Sequence, residues 1–233
     1  MPETEAPRSD APMMGAYATW TGTRRNLYAL KRNDWRLLVT PDTLLFGCKV
    51  PPIWEDGSVA PYAVDNGAWG AHNRGIEWDG DAFEALVSRC VDPDWVVVPD
   101  IVAGGPASLE RSLRWISKLR SMGVARMVLP VQDGMSVDDV RPLLGDDVGI
   151  FIGGDTEWKL ETMPQWGALG AELGVLVHAG RVNSGKRIAL CAESGIHSFD
   201  GTSCTRHAVN VEFLQWSRHK HRTTMGGHSW LRG

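Results

Sequence analysis

The 233-residue chain has little of what usually gives a function away. Its four cysteines, Cys48, Cys90, Cys191 and Cys204, lie far apart, with no CxxC or CxC pair. That spacing excludes a zinc knuckle and a disulfide framework, and it suits free thiols in a reducing cytoplasm. No apolar run approaches the roughly 20 residues that a membrane span requires. The net charge is only −4, so no global basic field announces nucleic acid, and any such contact needs a local patch. No G-x-G-x-x-G or P-loop string follows an apolar run, which argues against a nucleotide-phosphate cradle. The opening stretch, MPETEAPRSDAPMMG, has no apolar core and does not read as a signal peptide. It is expected to be a disordered leader over residues 1–15.

What is present is an alternation. Short apolar runs recur along the chain, each ending in a polar or glycine-rich turn: Ala16–Trp20, Arg36–Thr40, Ala60–Val64, Asp94–Pro99, Arg126–Val131, Val148–Ile152, Gly174–Val177 and Ile196–Phe199. Helix-like stretches separate most of them. Examples are Arg24–Asn33, Asp81–Cys90, Pro106–Met122, Glu157–Leu173, Ser184–Glu193 and His207–Arg218. In Pro106–Met122 the apolar face is read as Leu109, Leu113, Ile116 and Leu119. Pro164 is expected to start a turn or kink its helix, and Thr43–Val50 to be extended or loop. Strands that are apolar on both faces belong to parallel sheets covered by helices. Eight such units predict an α/β protein, a compact (β/α)8 TIM-type barrel over residues 16–218, with an open doubly wound sheet as the alternative. Residues 219–233 read as a basic tail. Arg218, Lys220, Arg222 and Arg232 are expected to be solvated or to touch a DNA backbone, and His219, His221 and His228 to be a solvated set rather than a metal site.

In a barrel the C-terminal strand ends converge on one pocket. They carry Asp65, Asp100, Gln132, Gly153-Gly154, His178/Arg181 and Asp200. Three carboxylates, a carboxamide and a glycine pair make a poor site for a sugar phosphate. They suit a purine, whose ring edge takes hydrogen bonds from side chains and backbone. Asp65 and Asp200 are then placed to act as acid/base and nucleophile at a glycosidic carbon. Asp133 reads as structural. Arg24 and Arg25, after the first strand, together with His178 and Arg181, are candidates for contact with substrate or phosphate. Among the 11 tryptophans, Trp69 and Trp158 are candidates for stacking on a base.

Five strings, in chain order, resemble motifs of the tRNA-guanine transglycosylase superfamily. They are Asp65-Asn66-Gly67-Ala68-Trp69, Val98-Pro99-Asp100, Val131-Gln132-Asp133-Gly134, Gly153-Gly154 and Ser198-Phe199-Asp200-Gly201. The closer resemblance is to the phage DNA branch, the DpdA-type 7-deazaguanine transglycosylases, to which FIGGDTEWKL and HAGRVNS are also similar. The resemblance covers Asp65 to Asp200. It implies exchange of guanine in DNA for a free 7-deazaguanine base such as 7-cyano-7-deazaguanine, through a covalent aspartyl-deoxyribose intermediate. Asp200 matches the nucleophile, Asp65 the acid/base, and Asp100, Gln132, Gly153 and Gly154 the base-recognition set. The implied partners are DNA and the free base, and because dimers occur in the family a second copy of the chain joins them. The implied compartment is the cytoplasm, that of the host if the protein is phage-encoded. No cofactor is implied.

Two departures stand out. The tRNA enzymes have Asp-Ser-Gly-Gly-Phe where this chain has Asp65-Asn66-Gly67-Ala68-Trp69. They also carry a CxCxxC…His zinc subdomain that this sequence lacks, so neither tRNA nor a metal is carried over. The competing readings are a nucleoside or glycoside hydrolase using the same carboxylates and a non-catalytic DNA-binding barrel.

Overall fold

Eight parallel strands close into a barrel in strict chain order, β1 to β8, with β1 pairing β8. The computed structural model describes residues 12–222 and 228–231. The strands are β1 (Gly15–Thr19), β2 (Arg36–Val39), β3 (Tyr62–Val64), β4 (Val96–Val97), β5 (Met127–Val131), β6 (Val148–Ile152), β7 (Val177–Ala179) and β8 (Ser198–Asp200). The chain is thus a (β/α)8 barrel of α/β class, as the alternation predicts.

Nearly every strand residue is buried, because one face packs inside the barrel and the other packs under helices. The period of two sorts them. Tyr17, Leu38, Ala63, Val97, Val128 and Leu176 meet inside, while Ala16, Leu37, Val39, Val64, Val96 and Leu129 face the helical shell. Trp95 joins the inner cluster and is itself fully buried.

The helices that matter most for the site follow β2, β3, β4 and β6. Helix α1 (Arg24–Arg32) follows β1, and α2 (Pro41–Leu45) follows β2. The span from Thr43 was expected to be extended or loop, yet Thr40 and Thr43 form a reciprocal cap and Pro41 takes the first helical turn. After β3 comes α3 (Ala68–Asn73), then α4 (Gly80–Val87). Helix α5 (Pro106–Ser121) buries Ser108, Ser112, Ile116 and Leu119, whereas Leu113 is exposed. Leu109 packs against the core at the edge of the face, but Leu113 turns to solvent because two small serines lie against the barrel: Ser112 Oγ donates to the Pro99 carbonyl and Ser108 Oγ accepts the Ile101 N–H. Helix α6 (Val137–Val140) is short. Helix α7 (Thr156–Leu173) continues through Pro164. Helix α8 (Gly185–Glu193), α9 (Ser203–Arg206) and α10 (Ala208–Lys220) complete the shell.

Both expected ends need revision. Residues 1–11 lie outside the described residues, but Met14 is fully buried and Gly15 opens β1, so the ordered domain starts before residue 16. Arg218 was expected to be solvated. It is only 3 % exposed, and donates to the carbonyls of Met14 and Asp34 and to Gln215 Oε1. Farther along, Trp230 enters the inner barrel cluster, and the Leu231 carbonyl accepts from Arg36 at the N-terminal end of β2. Described tail residues therefore close the lower mouth of the barrel. His228 lies edge-on to His197 and Trp230. Among the described residues no three potential ligands cluster to hold a metal ion.

Candidate active site

The upper mouth holds a cavity of about 900 Å³ bordered by residues from all around the barrel. Asp65, Asp100, Gln132, Gly153, Gly154, Arg181 and Asp200 all line it, so the fold gathers residues separated by up to 135 positions in sequence. Six aspartates border the space (Asp42, Asp65, Asp100, Asp133, Asp155 and Asp200), and Arg181 is the one lysine or arginine among its lining residues.

Asp65 follows the last residue of β3, and its N–H donates to the Val39 carbonyl of β2. The chain then turns sharply. Asp65 Oδ1 accepts the Gly67 N–H at 2.6 Å, and Gly67 takes φ +75°, where a side chain would also press on Pro41. The Asx turn anchors the carboxyl. Burial pushes the Asp65 pKa up to about 7; the Gly67 bond pulls the other way, and Asp200 and Asp100 add to the rise. A carboxyl of this kind exchanges a proton near neutrality.

Asn66 is the residue whose role only the fold reveals. It is 4 % exposed; its amide donates to the Val98 carbonyl (3.1 Å) and Asp100 Oδ1 (2.9 Å), and its Oδ1 accepts the Ala68 N–H. Gln132 approaches Asp100 from the other side, donating to Oδ2 at 2.5 Å and to the Ile101 carbonyl, while its Oε1 accepts the Gly104 N–H. Asp100 is thus clamped between two carboxamides. Burial still raises its pKa, against those two bonds. Gln132 is 2 % exposed with its amide engaged on both ends, so in this arrangement it orients Asp100.

Asp200 ends β8. Arg181 N–H donates to Oδ1 and His178 Nε2 lies 3.1 Å from Oδ2. His178 was expected at a strand end facing the cavity. It instead sits inside β7, fully buried and not lining the cavity, because β7 starts three residues later than expected and the period of two turns His178 inward with Leu176. Its ring stacks on Phe151 and meets Trp95 and Tyr17, and Nδ1 lies 2.9 Å from Ser198 Oγ. Burial lowers its pKa, opposed by Asp200. A neutral ring with Nε2–H aimed at Asp200 and Nδ1 accepting from Ser198 satisfies every partner. His178 is therefore a positioning group below the carboxylate.

Gly153 N–H bonds the Val131 carbonyl, and Gly154 has φ +68°. A Cβ on Gly154 would stand 2.6 Å from the Trp158 ring and 2.7 Å from Asp133 Oδ2, so glycine is required there. Asp133 accepts the Asp155 N–H at 2.9 Å, a structural contact at the start of α7. Trp158 packs against this turn and Trp166 and does not line the cavity, whereas Trp69 does, at 43 % exposed. Arg24 and Arg25 are exposed and not among the lining residues; Arg24 pairs with Glu55 at 3.5 Å. Both lie on α1, on its solvent-exposed first turn, which removes them from the cavity.

Lys159 was not singled out in the sequence, where it looks like one more exposed helix lysine. It is 4 % exposed and donates to the Gly180 carbonyl. Burial lowers its pKa to about 8, Arg181 adds to the fall, and Asp200 opposes it. No protein-family model matches the chain, and no curated protein matches it either.

Proposed function

We propose that this protein exchanges guanine in DNA for a 7-deazaguanine base. The observation that carries the reading is the pair Asp65 and Asp200, at the ends of strands β3 and β8, lining one cavity together with Asp100, its two carboxamides and the Gly153-Gly154 turn. The motif resemblance gives those positions the same roles.

In the first displacement a carboxylate oxygen of Asp200 attacks C1′ and the bond from C1′ to the guanine ring nitrogen breaks. Asp65, in its protonated form, supplies the proton that the departing base needs; a pKa near 7 suits both giving and retaking it. The covalent ester holds the sugar until the new base arrives. Asp65, now a carboxylate, takes the ring N–H proton of the incoming base, the nitrogen attacks C1′, and Asp200 leaves. No water is consumed, and configuration is retained through two inversions. The acidic lining disfavours a phosphate inside the cavity and admits a neutral base, so a duplex substrate must present its guanine flipped out. Guanine's amidine edge finds its acceptor in Asp100.

The test is incubation of DNA carrying labelled guanine with the protein and a free 7-deazaguanine, followed by nucleoside mass spectrometry. Release of label matched by deazaguanine in the DNA supports exchange. Abasic sites without incorporation favour the hydrolase reading and overturn this one.

A further inference from the structure

Arg181 sits in an unusual place for the one arginine or lysine among the cavity's lining residues. Its guanidinium does not reach Asp65 or Asp100. It lies 4.2 Å over the Trp69 ring, and its Nη2 donates to the Gly154 carbonyl. Its backbone is held in the left-handed region, at φ +60°, and that conformation aims its N–H at Asp200 Oδ1. One residue therefore supports the proposed nucleophile with its main chain while its side chain spans the cavity from β7 to α3.

A guanidinium and the amidine edge of guanine share a shape: a planar N–C–N unit with in-plane N–H donors and a face that stacks on aromatic rings. Trp69 offers the face, and the Gly154 carbonyl offers an acceptor for a base N–H other than those that Asp100 takes. Building on the proposed function, we propose that the Arg181 side chain is a displaceable occupant of the base subsite, holding the Trp69 face and the Gly154 carbonyl until a guanine-type base takes them over. The side chain then swings outward, and its charge moves to the cavity rim, where a phosphodiester of bound DNA passes. In the empty protein the contact gives the Gly154 carbonyl a partner and covers part of the Trp69 face, which stays 43 % exposed. The same occupancy costs affinity, because an entering base must first displace a stacked, hydrogen-bonded cation.

The test is titration calorimetry of free guanine and of a 7-deazaguanine base against the full chain and its Arg181→Gly and Arg181→Lys variants. Glycine accepts the positive φ and keeps the N–H to Asp200, so Arg181→Gly removes the side chain alone; a thermal melt checks its fold. Arg181→Gly is expected to bind the free base about tenfold tighter than wild type while binding DNA more weakly. Arg181→Lys, which has charge but no planar amidine, is expected to fall between the two for the base. Adding methylguanidinium is expected to compete with the base in Arg181→Gly. Base binding that is unchanged or weaker in Arg181→Gly overturns the proposal. Tighter base binding with no incorporation into DNA leaves the proposal standing and overturns the exchange reaction instead.

Discussion

Asp65 offers a test that needs no substrate. The folded protein holds its proton with a pKa of about 7, against an ordinary value of 3.8. The native state thus binds this proton more tightly than the unfolded chain does. Stability from this site is fully present below about pH 4 and is lost as the pH rises through 7, after which both states are ionised and the loss levels off. The difference is about three pH units, or about 4 kcal/mol at 1.36 kcal/mol per unit. Water reaching the carboxyl through the cavity trims this, and about 2 to 4 kcal/mol is expected. Asp65→Asn cannot ionise. Its stability relative to wild type is therefore expected to grow from pH 4 to pH 8 by that amount, other groups cancelling in the comparison. Urea denaturation at pH 4.5, 6, 7 and 8.5 reads it directly through the midpoints. A wild-type-to-variant offset that does not change with pH refutes the argument that burial raises this pKa. A functional counterpart follows: single-turnover guanine release should fall tenfold per pH unit above 7 in wild type and be slow and flat in Asp65→Asn.

Four further outcomes are expected. Wild type is expected to give a covalent protein–DNA adduct on a denaturing gel, and Asp200→Asn to abolish it and to cut base exchange by about 10³ or more, with the fold retained by circular dichroism. Gln132→Ala strips Asp100 of one donor and the Ile101 carbonyl of another, while the Gly104 N–H keeps its bond to the Ile101 carbonyl, so it should lower stability by about 1 to 3 kcal/mol in chemical denaturation and weaken base binding. Gly154→Ala forces a Cβ against Trp158 and Asp133 at a positive φ; a lower melting temperature and a raised KM for the free base are expected together. Trp230→Ala opens the lower mouth of the barrel and should cost about 3 kcal/mol in urea denaturation while leaving KM for the base unchanged.

Much of the fold was legible in the chain because a parallel barrel repeats one local signal. Each strand is a short apolar run closed by a polar or glycine turn, and eight of them in alternation with helices leave few architectures open. The same logic located the cavity residues, since strand ends of a barrel must converge. Asp65, Asp100, Gln132, Gly153, Gly154, Arg181 and Asp200 were all found in this way, and all line the one cavity.

What the sequence did not carry was direction and partnership. His178 shows why: expected just after its strand, it lies in the middle of β7, where the alternation turns it inward, and nothing local in Val177-His178-Ala179 sets those limits. Pairing with β6 and β8 does. Asn66 and Lys159 are ordinary polar residues until the neighbouring strands bring Asp100 within 2.9 Å of the first and the Gly180 carbonyl to the second. Arg218 and Trp230 read as tail because their partners, Met14 and the inner barrel cluster, lie far away in sequence. Local chemistry by itself determined that this chain makes eight strands and, to within a few residues, where each one lies. Only the closed tertiary structure decided which of those groups face the cavity, which lie beneath it, and which carboxyl is dry enough to hold a proton near neutral pH, because burial and long-range hydrogen bonds exist only once the barrel has closed.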